Sequence, residues 1–560
     1  MISIYYDGEC PFCTRYVQML RLERGGGAEL VNLREADAKR RELEQAGYNL
    51  DGGMVVDDGN RLYGGTDAVS YLATVTSPSD LLNKLNRWVF SIAWLARIVY
   101  PVLRSGRWFT LFLMNRNLIE DTEDRSKSRR EIFSIFFAFF SLFHFFNYAF
   151  EYQRFPPTWD LWLVLAAAVA LLFKPSSPRV LFALMLISTI STVVQAPVAS
   201  NHTMVRTAAL LGYWLSFITA MVRNDHVYKV FDRFAPAGGA ALLVMYFYGV
   251  FHKINVDFLD PITSCATTLW RLMPWPLSSL QGPFVDYSAI YGTFVVEGAI
   301  LVALLIRRFR HYGIAAGIAF HLLLSLSSYA MYISFTTLSI ALHSLFLSEE
   351  AARNILNSKL IVAFRERLES TPYKLLVITI GFCIAALAFG GNYTLAAVVT
   401  FPLVLPFCWA VLRHGAAIET SRRTLPVIGI IVGCIFMVNG AMPYLGLKTA
   451  QSINMFANLR LEDGRSNHLV FSADHRPFGY LEDVVTEKET GQSFVYYDVL
   501  AWAKANPEMT ISYERDGRQY TDQNAQTLKA DIDAILLPDW VNKWFHFQPV
   551  DLSEKEYCGF

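Results

Sequence analysis

The feature that most restricts this sequence is a series of apolar stretches from Ile132 onward, each about as long as a membrane-spanning helix. A helix of about 20 apolar residues crosses the roughly 30 Å hydrocarbon layer of a membrane. With 53% hydrophobic and 18% charged residues, the chain is more apolar than soluble proteins usually are. We therefore predict an integral α-helical membrane protein of about eleven spans. The spans are predicted at 132–150, 159–173, 179–196, 205–222, 236–253, 288–306, 313–328, 329–347, 374–390, 393–412 and 425–445.

Basic residues occupy every second loop between these predicted spans. Arginine and lysine cluster near 125–130, 174–179, 223–233, 307–310, 353–367 and 413–423, whereas the loops between them are poor in both. Since basic loops remain in the cytoplasm, we expect an inner or cell membrane of bacterial type, with the N-terminus inside and the C-terminus outside. Residues 313–347 are also compatible with one broken helix, which would lower the number of spans.

Hydropathy divides the chain into four parts. Residues 1–117 are predicted to form a soluble α/β domain, 130–350 and 351–446 two groups of transmembrane helices, and 447–560 a small α+β domain on the outer face. The formal net charge is zero, so the basic surface of a nucleic-acid-binding protein is not expected. No basic or apolar leader precedes the first strand, and the first domain should therefore stay in the cytoplasm.

The first domain has the element order of a thioredoxin-like fold. A strand at 2–6 leads into Cys10 and Cys13, which open a helix to about Arg24. A strand at 30–33, a helix over 35–46, a hairpin of 54–56 with 61–63, and a helix from Thr66 follow. Residues 81–117 mix aromatic and basic side chains. They either form amphipathic helices at a membrane surface or complete the core of this domain.

The CxxC motif indicates thiol chemistry. A cysteine at a helix N-terminus is stabilised as a thiolate by backbone N–H groups and the helix dipole. We therefore expect Cys10 to attack and Cys13 to resolve. A structural zinc half-site is the alternative, but neither a second CxxC nor a suitable histidine pair lies in this domain, and no metal is predicted.

Over about the first 115 residues, the chain resembles the DCC-type thiol-disulfide oxidoreductase family. The resemblance rests on the run YDGECPFC that ends at Cys13, and on Asp58-Gly59 and the run from Tyr63 to Val69. It implies dithiol–disulfide exchange. Met54 stands where thioredoxins carry a proline that faces the thiols.

Four ionisable residues lie in or next to the predicted spans: His202, Lys253, Glu297 and His321. Such residues are costly in a membrane and are functional candidates for that reason. A buried Glu297 and His321 on successive helices can share a proton, and a neutral lysine amine can act as a base. The alternatives are a snorkelling lysine, a solvated loop histidine and a structural hydrogen bond.

Residues 130–350 resemble the membrane domain of the vitamin K-dependent gamma-carboxylase family, also called the HTTM family. The resemblance rests on the run HKINVDFLD from His252, on Asn201-His202, and on Glu297, the arginines of 307–310 and Phe320-His321. It implies that Lys253 deprotonates a vitamin K-like hydroquinone, with His202 and His321 nearby and Asn201 and Asn255 as further contacts. Because the C-terminal part is much smaller than the substrate-binding part of the animal enzymes, glutamate carboxylation does not follow.

We therefore expect a membrane oxidoreductase that joins a cytoplasmic dithiol domain to an outward-facing site for a lipid quinone or hydroquinone. Its expected partners are membrane lipid, the quinone, and a peptide or protein substrate on the outer face. Two alternatives remain. One is a maturation or immunity-type scaffold that binds a peptide or lipid without redox turnover, and the other has the dithiol domain as its sole catalyst. The segment 454–468 is a candidate to complete the outer site, and a disulfide between Cys265 and Cys558 is conceivable on that side.

Overall fold

The computed structural model describes residues 2–19, 28–75, 81–119, 123–151, 156–197, 200–328, 332–369, 393–416, 427–553 and 558, with isolated positions between 375 and 391. It separates into two compact units. The first comprises Met1–Ser126 with Trp214–Asp232, and the second comprises Lys127–Tyr213 with Arg233–Phe560.

A four-stranded mixed sheet organises the first unit. Strand β1 (Ser3–Tyr6) pairs in parallel with β2 (Glu29–Asn32) and antiparallel with β3 (Val55–Asp57), and β3 pairs with β4 (Leu62–Gly64). Three helices lie between or after these strands: α1 (Pro11–Met19), α2 (Asp37–Gln45) and α3 (Thr66–Val75). The predicted order, βαβ followed by ββα, is therefore confirmed. The predicted end of the first helix near Arg24 lies outside the described residues.

Helices α4 (Leu81–Ser91) and α5 (Ala93–Leu113) extend this unit. On one side, Phe90 and Ala96 are buried in the core of the domain. On the other, Trp88, Trp94 and Ile98 are 62%, 65% and 61% exposed. One face of this helix pair thus completes the core, and the other presents the apolar surface that a helix at a membrane interface would bury.

The second unit is mostly helical. Its helices, two of which continue into the first unit, are α6 (Lys127–Phe146), α7 (Trp159–Phe173), α8 (Pro178–Gln195), α9 (Asn201–Arg223), α10 (Tyr228–Phe251), α11 (Val256–Leu259), α12 (Cys265–Arg271), α13 (Pro283–Leu305), α14 (Arg310–Leu324), α15 (Tyr332–Ser344), α16 (Glu349–Leu356), α17 (Lys359–Glu369), α18 (Tyr393–His414) and α19 (Val427–Ala441).

Seven helices of the described residues are long and apolar enough to cross a membrane, which indicates a membrane protein. They are Lys127–Ala149, Pro178–Gln195, Asn201–Arg223, Tyr228–Phe251, Pro283–Leu305, Tyr393–His414 and Val427–Leu445. Three other predicted spans correspond to the shorter helices α7, α14 and α15, of 15, 15 and 13 residues. The predicted span 374–390 lies mostly outside the described residues. The total of about eleven spans therefore stays a prediction.

The C-terminal part contains an antiparallel sheet of order β6-β5-β7-β8. Its strands are β5 (Val484–Glu487), β6 (Ser493–Val495), β7 (Ile511–Arg515) and β8 (Arg518–Gln523), and its helices are α20 (Tyr496–Ala505), α21 (Lys529–Ile535) and α22 (Asp539–Asn542). Asp516 and Gly517 both have positive φ, 50° and 71°, as a tight two-residue hairpin turn requires. The predicted α+β character and the hairpin are confirmed.

Candidate functional site

The dithiol lies where β1 passes into α1. The backbone N–H of Cys10 donates to the carbonyl of Asp7 at 3.1 Å, which closes the turn between strand and helix. The backbone N–H of Cys13 donates to Sγ of Cys10 at 3.2 Å. The helix N-terminus therefore holds Cys10 Sγ against a free N–H group, as the sequence predicts.

This geometry makes the two thiols unequal. A hydrogen bond from the Cys13 thiol, together with its backbone N–H and the charge of Arg107, lowers the pKa of Cys10 to about 7, although burial opposes this shift. The same hydrogen bond and burial raise the pKa of Cys13 well above its ordinary value. Cys10 is thus the sulfur that ionises near neutral pH, which is the property of an attacking thiol.

A buried ion cluster lies next to the dithiol. Nη2 of Arg107 donates to Oδ2 of Asp7 at 2.7 Å, and Nε of Arg34 donates to Oδ1 at 2.7 Å. Burial alone would raise the pKa of Asp7, but the hydrogen bonds and charges of the two guanidinium groups lower it below its ordinary value. Asp7 therefore stays ionised and fixes Arg107, whose charge also acts on Cys10.

The more exposed sulfur of the motif is not the one with the lowered pKa. Cys10 is buried and Cys13 is half-buried, while Phe12 between them is 60% exposed. Phe12 and Cys13 therefore form the exposed part of the motif, whereas the sulfur that ionises near neutral pH is buried.

The first unit also includes a segment from the middle of the chain. Arg104 and Trp108 of α5 donate to the carbonyls of Val222 and Asp225 at 2.7 and 2.6 Å. Nδ2 of Asn224 donates to the carbonyl of Asp51 at 2.6 Å. The dithiol domain is thus joined by hydrogen bonds to the basic connection between α9 and α10.

A second candidate site is a cavity of about 250 Å³ in the second unit. Most of its lining is apolar or aromatic, including Met245, Phe258, Trp270 and Phe335. The polar side chains among its lining are Asn201, His202, Tyr246, Lys253, Trp270, Ser288, Thr293, Glu297, His321 and Tyr332. Four of the six predicted catalytic residues therefore share one cavity.

Lys253 and Glu297 form an ion pair in this cavity. Nζ of Lys253 lies 2.8 and 3.0 Å from the two carboxylate oxygens and donates a further bond to the carbonyl of Gly249 at 2.7 Å. Lys253 is 6% exposed and Glu297 is 9% exposed. A snorkelling lysine would extend into solvent, so this interpretation does not fit Lys253.

His202 is not in a loop. It is the second residue of α9, which begins earlier than the predicted span, and its side chain is buried. Its ring lies 2.8 Å from Oγ of Ser200 and packs near Phe140 and Phe335. The alternative of a solvated loop histidine therefore does not fit His202, which lies in the wall of the cavity.

His321 has a different partner from the expected one. Instead of Glu297, it contacts the hydroxyl of Tyr246, with 3.0 Å between Nε2 and Oη. The same hydroxyl lies 3.1 Å from Nε2 of His343. Glu297 and His321 thus belong to two separate hydrogen-bonded groups that line the same cavity.

Asn201 and Asn255 have mainly structural contacts. Oδ1 of Asn201 accepts from the backbone N–H of Ile453 at 2.9 Å, although Asn201 also lines the cavity. Asn255 caps α11 through Phe258 and donates to the carbonyl of Ala457 at 2.6 Å. Asn255 is fully buried among these partners and is outside the cavity lining.

The segment after α19 closes part of the cavity. Ile453, Met455 and Phe456 line it. Ile453 and Phe456 have positive φ of 66° and 54°, so this segment is irregular where it approaches the site. The sequence makes this polar-aromatic segment a candidate to complete the site, but the side chains it contributes are largely apolar.

A disulfide joins Cys265, the first residue of α12, to Cys558, with 4.8 Å between their Cα atoms. It links the end of the chain to a helix that contributes Leu269 and Trp270 to the cavity. The pairing that the sequence left open is therefore present.

Residues 4–111 match the family model of DCC1-like thiol-disulfide oxidoreductases. The first unit therefore carries a DCC1-like thiol-disulfide oxidoreductase domain. The match ends at residue 111, so the resemblance of 130–350 to the gamma-carboxylase family rests on its motif residues alone. No curated protein and no solved structure matches this chain.

Proposed function

We propose that this chain is a membrane oxidoreductase with two chemistries, a dithiol exchange at Cys10 and Cys13 and a proton abstraction from a lipid hydroquinone at Lys253. The observation that carries the second part is the buried Lys253–Glu297 ion pair in a largely apolar cavity. Buried charges are costly, and a protein retains them chiefly where they are paired or used.

The cavity suits the ring of a quinone. Its volume of about 250 Å³ lies just below the usual range of small-molecule pockets, about 300–1,000 Å³. Trp270, Phe320 and Phe335 offer aromatic surface, and the ion pair and two histidines offer polar groups. A quinone has oxygens at the edge of its ring and an apolar tail, so it matches this combination of polar and apolar lining.

The ion pair can supply the base. In the charged pair, each N–H of the ammonium has an acceptor, two on Glu297 and one on Gly249. Transfer of one proton from Nζ to the carboxylate gives a neutral amine and a neutral acid, a state that a low-dielectric site favours more than water does. A bound hydroquinone would supply an acidic hydroxyl group and reducing equivalents for dioxygen. The amine of Lys253 can then accept the hydroxyl proton.

The remaining groups position the ligand. His202 and His321 line the cavity on different helices, α9 and α14, so they can hydrogen-bond oxygens on separate sides of a ring. The apolar segment 453–456 helps to exclude water, which keeps the proton on the amine from exchanging freely.

Two further features support an outward-facing site. Disulfides persist in oxidising compartments, and Cys265–Cys558 is linked to the wall of the cavity through α12. Basic residues are concentrated in the alternate connections, including the one joined to the dithiol domain. Both agree with a cytoplasmic dithiol domain and an outer quinone site.

A scaffold that binds a peptide or lipid without redox turnover is the competing function, because the same apolar cavity can hold an acyl chain. Native mass spectrometry of the purified full-length protein separates the two. We expect a bound quinone, whereas a phospholipid or peptide in its place would favour the scaffold.

Two tryptophan variants on α13 give a matched control. Gly292 lines the cavity and has open space where a Cβ would lie, so Gly292→Trp should fill the cavity and remove the quinone. Gly298 has the same open space but lies outside the cavity lining, so Gly298→Trp should retain it. Equal retention of quinone by both variants would contradict binding in this cavity.

A further inference from the structure

Three buried side chains on three helices form a hydrogen-bonded row that ends at the cavity. His343 of α15 contacts Tyr246 of α10, and Tyr246 contacts His321 of α14, at 3.1 and 3.0 Å. They are 0%, 2% and 3% exposed. Tyr246 and His321 line the cavity, whereas His343 lies behind them.

The far end of this row indicates one order of its hydrogens, in which Oγ of Ser339, 3.2 Å from Nδ1 of His343, acts as a second acceptor. Nδ1 of His343 lies 2.7 Å from the carbonyl oxygen of Ser339, which can only accept. Nδ1 of a neutral His343 therefore carries the proton, and its Nε2 accepts from the Tyr246 hydroxyl. The Tyr246 oxygen then accepts from Nε2–H of His321, which leaves Nδ1 of His321 unprotonated.

That last nitrogen is a buried acceptor that the part of the chain described by the structure leaves unused. Among the described residues, Nδ1 of His321 has no hydrogen-bond partner. An unpaired buried acceptor destabilises a protein, so a ligand hydroxyl that donates to it would bind more tightly. The arrangement is also sterically specific, because a methyl group at Gly317 would overlap the ring of His343.

We propose that His321, Tyr246 and His343 form a proton relay that accepts a proton from the cavity ligand at Nδ1 of His321 and stores the charge on His343. The proton lost from a ligand O–H bond forms the Nδ1–H bond of His321. Nε2–H of His321 passes its proton to the oxygen of Tyr246, whose own proton passes to Nε2 of His343. One ligand O–H bond is broken, His343 becomes an imidazolium, and no electrons move.

The identity of the relay's ligand rests on the proposed function, whereas the order of its hydrogen bonds does not. In combination with Lys253, it gives the cavity two proton acceptors, which matches a ligand with two hydroxyl groups. His321 is then a catalytic residue, and Tyr246 and His343 are positioning residues.

Solid-state NMR of the full-length protein, labelled with ¹³C and ¹⁵N in histidine and held in liposomes, tests this order directly. Without added ligand, we expect His321 to carry its proton on Nε2 and His343 on Nδ1. Signals are assigned with His321→Gln and His343→Gln. A proton on Nδ1 of His321 in the unliganded protein would overturn the relay whether or not a quinone binds.

Two tyrosine variants on α10 separate the relay from general packing. Tyr246→Phe keeps the ring but removes the hydroxyl, so His321 should lose its single tautomer and show both. Tyr248→Phe removes a hydroxyl that donates to the carbonyl of Met437 instead, and should leave both histidines unchanged. A single unchanged tautomer of His321 in Tyr246→Phe would contradict the relay.

Addition of reduced vitamin K1 without oxygen tests the transfer. We expect a doubly protonated His343 and a proton on Nδ1 of His321. Binding of this hydroquinone, seen by mass spectrometry, with His343 still neutral would overturn the storage step. Failure of the hydroquinone to bind would instead count against the proposed function, and the unliganded spectrum would still decide the hydrogen-bond order.

Discussion

Nζ of Lys253 lies 2.8 Å from one carboxylate oxygen of Glu297 and 3.0 Å from the other, in a cavity where both side chains are buried. The sequence shows a lysine at the end of the fifth predicted span and a glutamate within the sixth, 44 positions apart. Their contact turns two separate candidates into one buried ion pair.

Removal of one member of this pair should destabilise the protein more than removal of both. Lys253→Met or Glu297→Gln alone leaves a buried group without its partner, at a cost of about 3–5 kcal/mol, whereas replacement of both is often nearly neutral. Thermal aggregation of the purified protein should therefore begin at a lower temperature in each single variant, and the double variant should recover most of the loss. If the double variant lost as much stability as the two single variants together, the pair would not be a coupled unit.

The reactivity of the dithiol should follow the ionisation of Cys10. Its thiolate forms as the pH rises through about 7, so the rate of alkylation at Cys10 should have its midpoint there. Because Cys10 is buried, the limiting rate should be slower than that of a free thiolate. Mass spectrometry of the alkylated peptide gives both quantities, and Cys10→Ser should abolish reversible oxidation.

The hydrogen bond from the Cys13 thiol is the largest cause of this lowered pKa. Cys13→Ala should therefore shift the midpoint towards the roughly 8.5 of an ordinary cysteine. Cys13→Ser retains a hydrogen-bond donor and should shift it less. An equal midpoint in both variants and the native protein would remove the Cys13 thiol from the stabilisation of the thiolate.

The predicted topology can be checked with two exposed positions. In a background without the free cysteines, Arg308→Cys lies in the basic connection between α13 and α14, and Arg518→Cys lies in the C-terminal hairpin. We expect a membrane-impermeant thiol reagent to label the first from the cytoplasmic side and the second from the outside. Labelling of both from one side would contradict this topology.

The two chemistries should be separable. Lys253→Ala should abolish hydroquinone-dependent activity without changing the reduction potential of the Cys10–Cys13 pair. Cys10→Ser should leave quinone binding intact, as judged by native mass spectrometry. A change of the dithiol potential in Lys253→Ala would show that the two sites are coupled.

Local order along the chain was largely predictable. The CxxC turn, the Asp516-Gly517 hairpin and the long apolar helices depend on neighbouring residues, which the sequence shows directly. The helices α14 and α15 were harder to predict, because apolar length does not distinguish a span from a short buried helix.

Only the ionisable residues of the site could be predicted from the sequence. His202, Lys253, Glu297 and His321 stand out as ionisable residues in or near apolar stretches, and the cavity brings them together. His343 is also an ionisable residue inside a predicted span, but it was not among the predicted site residues.

Which side chains meet was not predictable. The pairing of Lys253 with Glu297 and of His321 with Tyr246 depends on how α10, α13 and α14 rotate about their axes, which helix packing decides. Tyr246 gave no signal at all, because one tyrosine in an aromatic-rich span resembles any other.

The most direct test of the hydroquinone base is Lys253→Arg, with oxygen uptake measured on addition of reduced vitamin K1. A guanidinium keeps the positive charge and the contact with Glu297 but does not lose its proton in proteins. We predict that quinone still co-purifies with Lys253→Arg, while oxygen uptake above the uncatalysed rate falls by about 10²–10⁴-fold, the usual contribution of a general base. Full oxygen uptake by Lys253→Arg would contradict the role of Lys253 as the base and, with it, the hydroquinone chemistry proposed for this cavity.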